Sequence, residues 1–128
     1  MLDGPGVDHV LNLEGQLPRG LGLFDHIECI SVLEHAPRPW LLAANLERLM
    51  APGCTLHVTV PFVWRIHAYP NDYWRMTPEA LPLLFPSITW EQRMLAGSAL
   101  VTDQVQRVKL RGFPYMARTE TCGFGRFL

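Results

Sequence analysis

The residues with the most chemical capacity lie between Phe62 and Met76. His67 and Asp72 stand there, and Tyr73, Trp74 and Arg75 follow directly. Histidine titrates near neutrality, so His67 is a candidate general base. Asp72 is placed to orient that base or to bind a polar substrate. Tyr73, Trp74 and Arg75 then belong to a substrate loop. The same residues also read as an aromatic loop pinned by Trp74 and by an Asp72–Arg75 contact, with no catalytic part. A second polar stretch, Ser31-Val32-Leu33-Glu34-His35, closes an apolar run. By position alone Glu34 and His35 are a polar strand end that opens a loop. His35, His67 and Asp72 are suitable metal ligands by chemistry. They come from separate segments without a CxxC or HxxxH spacing, so no metal is expected.

A third candidate is Asp3-Gly4-Pro5-Gly6. A loop that cradles a phosphate or a cofactor needs a strand before it and a helix after it. Here a strand-like pattern follows. A turn is expected instead, because Pro5 fixes its φ and Gly6 permits a positive one.

These residues need a scaffold, and the chain is long enough to supply one. Its 128 residues fit one domain. A net charge of −1 with 18% charged residues leaves no basic footprint for nucleic acid and no polybasic membrane anchor. No apolar run approaches the roughly 18 residues of a membrane span, and Met1 leads no signal-peptide pattern. Trp64, Trp74 and Trp90 read as core or lid residues. Cys29, Cys54 and Cys122 are an odd, widely spaced set. They read as reduced thiols in a cytoplasmic protein, with Cys29 and Cys54 buried.

The pattern gives the order β-β-α-β-α-β-β. Val7 to Leu13 and Phe24 to Leu33 read as strands. Pro37 and Pro39 open a helix that carries Leu42, Leu46, Leu49 and Met50 at helical spacing. Pro52-Gly53 stops it. Thr55 to Val60 is the third strand. Thr77 caps a helix with Pro78 at its first position, running to about Leu84. Ile88 to Leu95 and Val105 to Leu110 are two further strands, and the tail CGFGRFL carries no assignable pattern. A strand–helix–strand unit implies a parallel pair, hence an α/β sheet.

The segment FDHIECISVLEHAPRPWLLAANLERLMAPGCTLHVTVPF resembles the second half of a class I S-adenosylmethionine-dependent methyltransferase (a methyltransferase type 11-like pattern). The matching features are the strand from Phe24-Asp25 to Leu33-Glu34-His35, the helix ending near Pro52-Gly53, and the strand ending Val60-Pro61-Phe62. HAYPNDYWRMTPEAL resembles a subset of the same proteins, and VDHVLNLEGQLP resembles their third strand and adenine-side loop. The resemblance covers roughly residues 7 to 95. It implies a truncated Rossmann-like sheet of about five strands with helices mainly on one face. It places Asn12, Leu13 and Glu14 near the adenine of S-adenosylmethionine. Ser31, Val32, Leu33, Glu34 and His35 fall on its methionine side. The family's glycine-rich motif and ribose-binding acidic residue would both precede Val7. Weak or no cofactor binding is therefore expected of this chain alone, as a non-catalytic or partner-dependent module. The alternative is an active minimal methyltransferase with a small-molecule acceptor, its site completed by a homodimer.

The strands themselves carry a related expectation. A parallel strand covered on both faces reads as continuously apolar. Here His26 and Glu28 share one face, and Thr55, His57 and Thr59 another, so a wetter, uncovered sheet face is expected. The strand at Phe24 to Leu33 would also be an edge. Either Val7 to Leu13 fills the vacant slot, or a homodimer or a larger methyltransferase partner does.

Overall fold

The structure is a computed structural model that describes residues 4–67, 71–97 and 119–128. The chain forms strand β1 (Phe24–Ile30), helix α1 (Pro39–Arg48), strand β2 (Met50–Val63), the single-turn helix α2 (Leu81–Leu84), strand β3 (Ile88–Gly97) and strand β4 (Thr119–Phe127). Short 3-10 turns at Leu33–His35 and Pro78–Ala80 precede the two helices.

The sheet order is β1-β2-β4-β3. β1 and β2 are parallel and joined through α1, as the strand–helix–strand pattern requires. β4 is antiparallel to both of its neighbours. This is the expected α/β, Rossmann-like class. The sheet has four strands among the described residues rather than about five. The strand expected at Val105 to Leu110 lies outside the described residues.

Helix α1 forms where the apolar spacing put it. Pro39 occupies its first turn, and Leu42, Ala43 and Leu46 are buried on the face that meets the sheet. The helical run from Pro78 ends at Leu84, as expected, but its first turn is 3-10. Thr77 makes no side-chain cap. Pro82 lacks an N–H, so a regular helix would leave the Pro78 carbonyl without its partner. That carbonyl takes the Leu81 N–H in a 3-10 turn and Arg93 Nη1 at 3.4 Å.

Three strand expectations change. Val7 to Leu13 forms no strand. Asn12 captures the local backbone instead: its Oδ1 accepts from Glu14 N at 3.1 Å and its carbonyl from Gly15 N at 3.0 Å. β1 stops at Ile30 because Ser31 adopts φ 52, which takes the chain out of the strand. Pro52-Gly53 lies inside β2 rather than after a helix. Gly53 has φ 83, and the register with β1 slips there, from Phe24↔Met50 to His26↔Thr55. The glycine stretch near the start is a turn, as expected. Val7 N donates to Gly4 O at 3.1 Å around Pro5 and Gly6, with Gly6 at φ 80.

The unassigned tail is β4, in the middle of the sheet. Its glycines explain how it fits. A Cβ on Gly123 would stand 2.5 Å from Leu81 Cδ1 and from the Trp90 ring. One on Gly125 would collide with Ile88 Cγ2 and the Thr89 carbonyl. Cys122, Phe124 and Arg126 alternate onto the opposite face.

That opposite face is the wetter one. Cys29, Leu56, Val58 and Val60 pack under α1 and α2 with Leu42, Leu46, Leu81 and Phe85. On the other side His26 and Glu28 are exposed, His57 is half-buried, and Phe24 and Ile30 are each 42% exposed. Thr59 departs from the expectation and is buried. It sits in an interior strand between Ile30 and Cys122, and its carbonyl holds Ser31 N. Among the described residues no strand pairs with the outer edge of β1.

Candidate functional site at the carboxyl ends of β1 and β2

Because β1 and β2 are parallel, the loops leaving them emerge on the same side. The chain leaving β1 turns at Ser31, whose N–H donates to Thr59 O at 3.0 Å. The Leu33–His35 turn then puts Leu33 in the core, buries Glu34 and leaves His35 partly open. The loop leaving β2 folds back over this turn. Tyr73 N donates to Glu34 O at 2.8 Å, Trp74 Nε1 to Ala36 O at 2.8 Å and Met76 N to Pro61 O at 3.2 Å. Trp74 also meets Trp40 edge to face, with ring centroids 6.1 Å apart.

Asp72 and Arg75 hold the loop together. Arg75 Nη1 donates to Asp72 Oδ1 at 2.5 Å and Nη2 to Oδ2 at 2.6 Å, a bidentate pair. Arg75 also reaches the Trp64 and Arg65 carbonyls at 3.4 and 3.1 Å. The pinned loop is thus present, and His67 is attached to it. Asp72 Oδ2 accepts the His67 backbone N–H at 3.0 Å. It also lies 3.0 Å from His67 Nδ1, close but poorly aligned for a second hydrogen bond.

The fold then brings together two histidines that are far apart in sequence. His35 Nε2 and His67 Nε2 are 3.2 Å apart, with ring centroids at 4.9 Å and planes at 89°. Asn71 O lies 2.6 Å from His35 Nδ1. Glu34 Oε1 is 3.7 Å from His35 Nε2. Glu34 has 0% exposure, and neither carboxylate oxygen has a hydrogen-bond partner.

Charge in this region is strongly organised. The Arg75 guanidinium holds the Asp72 carboxyl well below the usual carboxylate range, and Asp72 raises Arg75 in return. Burial pushes the Glu34 carboxyl up, against smaller opposing effects of its own backbone and of His35 and His67. Burial, and then the Glu34 charge, push the Cys29 thiol up to about 12. Cys29 and Cys54 are buried free thiols, as the sequence suggested.

Beside His35 opens a cavity of about 370 Å³. Asn12, Leu13, Glu14, Val32 and His35 line it together with Ala36. Asn45 Nδ2 fixes its outer wall by donating to Leu13 O and Gly15 O at 2.9 and 2.7 Å. Glu14 Oε1 accepts the Arg38 N–H at 2.5 Å, at the start of α1. Of the residues the resemblance assigned to the cofactor, these five share one wall. Ser31 stays at the turn, Leu33 enters the core and Glu34 points into the histidine cluster. Asn45 is a site residue that no motif in the sequence announces, and Asn71, inside the HAYPNDYWRMTPEAL stretch, contributes through its carbonyl.

No protein-family model matches this chain. No curated protein matches it either. Solved structures do match. The N-methyltransferase NodS from Bradyrhizobium japonicum WM9, in complex with S-adenosyl-L-homocysteine, aligns with a TM-score of 0.57 at 13% identity over 91% of this chain. A protein described as a methyltransferase from Bacillus halodurans C-125 aligns at 0.63 and 14% identity over 90%. In a complex with a methyltransferase activator from Haloferax volcanii, a protein described as a methyltransferase aligns at 0.68 and 13% identity over 93%. The chain spans 52%, 68% and 60% of those three proteins. It therefore has the fold of class I S-adenosylmethionine-dependent methyltransferases and corresponds to part of that fold.

Proposed function

We propose that this chain is a methyltransferase-like module that holds one wall of an S-adenosylmethionine site and depends on further protein to complete it. One observation carries the reading. The cavity at Asn12, Leu13, Glu14, Val32 and His35 is preformed, while the adjoining edge of β1 and the sheet face beyond it are bare among the described residues. The protein that completes the site lies against that edge and face, where Phe24 and Ile30 are exposed. The structural neighbours have chain length beyond the matched part, which supports this arrangement.

The energetics give a measurable consequence. A cofactor held from one wall lacks the charge-assisted hydrogen bonds of a ribose carboxylate and a glycine loop, each worth about 1.5–3 kcal/mol. Losing roughly 4 kcal/mol turns a micromolar site into a near-millimolar one. Calorimetry of the 128-residue chain with S-adenosylhomocysteine is expected to show millimolar affinity or no heat. Micromolar affinity overturns the reading.

A second reading has its own support in the loop. His67 sits against Asp72 and next to His35 at the cavity edge. In an active enzyme His67 would take the proton of a small-molecule acceptor while Asp72 orients it, with Tyr73, Trp74 and Arg75 forming the substrate loop. A homodimer would complete that site. Micromolar binding together with a dimer by light scattering selects this reading.

A further inference from the structure

We propose that Glu34, His35 and His67 bind a first-row divalent transition-metal ion of the zinc class. One donor atom from each residue lies within 4.8 Å of the others. Two imidazole nitrogens and one carboxylate oxygen form a donor set suited to zinc, and less so to magnesium or calcium, which take all-oxygen shells.

The outer hydrogen bond of His35 decides what its inner atom is. The Asn71 carbonyl, 2.6 Å from His35 Nδ1, can only accept, so Nδ1 carries the proton and Nε2 presents a lone pair. The Asp72 carboxylate stands 3.0 Å from His67 Nδ1 out of hydrogen-bond alignment, so its charge favours a proton there without a bond that fixes the tautomer. Without an ion, His67 Nε2–H can donate to His35 Nε2 at 3.2 Å; around an ion, both nitrogens turn lone pairs inward beside a buried, unpartnered carboxylate. The Glu34 carboxylate, with no hydrogen bond of its own, is the group that a cation would satisfy. Metal-bound histidines characteristically donate their outer N–H to a carbonyl or a carboxylate, as His35 does to the Asn71 carbonyl.

Spacing agrees with this. Ligand distances of about 2.0–2.1 Å in a tetrahedron put neighbouring donors ~3.3 Å apart. The observed separations are 3.2 Å between the histidines and 3.7 Å from Glu34 Oε1 to His35 Nε2. Three protein ligands leave a fourth position for water or an oxygen-bearing ligand, the arrangement of catalytic rather than structural sites. The site stands independently of the cofactor reading and is tested without S-adenosylmethionine.

The full chain, stripped with a chelator, is titrated with Zn²⁺ followed by melting temperature and with Co²⁺ followed by visible absorption. Binding of one ion is expected, with a rise in melting temperature and a Co²⁺ band typical of low coordination, and no response to Mg²⁺. His67→Ala and Glu34→Gln should each weaken binding by on the order of a hundredfold. The second of these keeps side-chain shape and guards against a misfolded first variant. A double variant of the exposed histidines, His26→Ala with His57→Ala, should bind as the parent does. Absence of a response to Zn²⁺ overturns the proposal. So does binding that survives both site variants, or that disappears in the exposed-histidine variant.

Discussion

Two places in this molecule hold the same three side chains, two histidines and one glutamate, and use them differently. On the open sheet face His26 Nε2 and His57 Nδ1 lie 3.5 and 4.0 Å from Glu28 Oε1. Those side chains are 52%, 39% and 61% exposed, so water competes for every contact. At the strand ends His35 and His67 meet Glu34, which has no exposure. Composition alone does not separate the two groups. The difference is what stands behind them: Thr55 and solvent in one case, the Asn71 carbonyl and the Asp72–Arg75 pair in the other. A side-chain set becomes a site when its outer hydrogen bonds are fixed and its inner ones are left open.

The comparison breaks most visibly at Asp72. Asp72→Ala removes the bidentate partner of the half-buried Arg75 guanidinium and leaves it only carbonyl acceptors, a loss of about 1.5–3 kcal/mol. Urea unfolding is expected to show that loss, and histidine NMR should show the His67 ring released. The parent should also be acid-sensitive for the same reason. A carboxyl depressed in the folded state supports the fold at pH above ~4, and that support is lost as pH falls below.

A change of opposite sign is expected at Glu34. Its carboxyl is raised by burial, so its contribution to stability is present below the ordinary carboxylate range and is lost as pH rises. In metal-free protein Glu34→Gln should therefore stabilise at neutral pH, by on the order of 1 kcal/mol, and the gain should vanish in acid. Excess Zn²⁺ should reverse the ranking of parent and variant. An unchanged ranking with zinc would put the ion elsewhere.

The exposed cluster sets the lower end of the scale. Glu28→Gln or His57→Ala should change stability by less than about 0.5 kcal/mol. A larger loss in dilute protein would mean that this face is already covered in solution, and sedimentation would then reveal the partner.

Much of the scaffold was legible in the sequence because it is written in local patterns. The period of Leu42 and Leu46 and the alternation in Leu56, Val58 and Val60 mark one buried face each. Pro5-Gly6 marked its turn. The failures have physical causes too. Val7 to Leu13 looks like a strand by its apolar residues, but Asn12 spends the backbone groups on a turn. β4 escaped notice because two of its inward positions are glycine, so it buries space for Leu81, Trp90 and Ile88 rather than side chains of its own. At the site, residue types were legible and convergence was not. His35 and His67 meet through loops after different strands, and no spacing along the chain encodes a 3.2 Å contact across a fold. The Asp72–Arg75 contact was legible from their spacing, whereas nothing in the sequence brought Glu34 to the two histidines.

The position of β4 also orders events in time. Among the described strands it is the last to be synthesised, yet it lies between β2 and β3. While the ribosome is still short of Thr119, β3 has no strand to join among the described residues and β2 waits with an open flank. β2 and β3 therefore keep unpaired edges until Thr119–Phe127 emerges, the period in which a chaperone or a neighbouring chain has most opportunity to capture them.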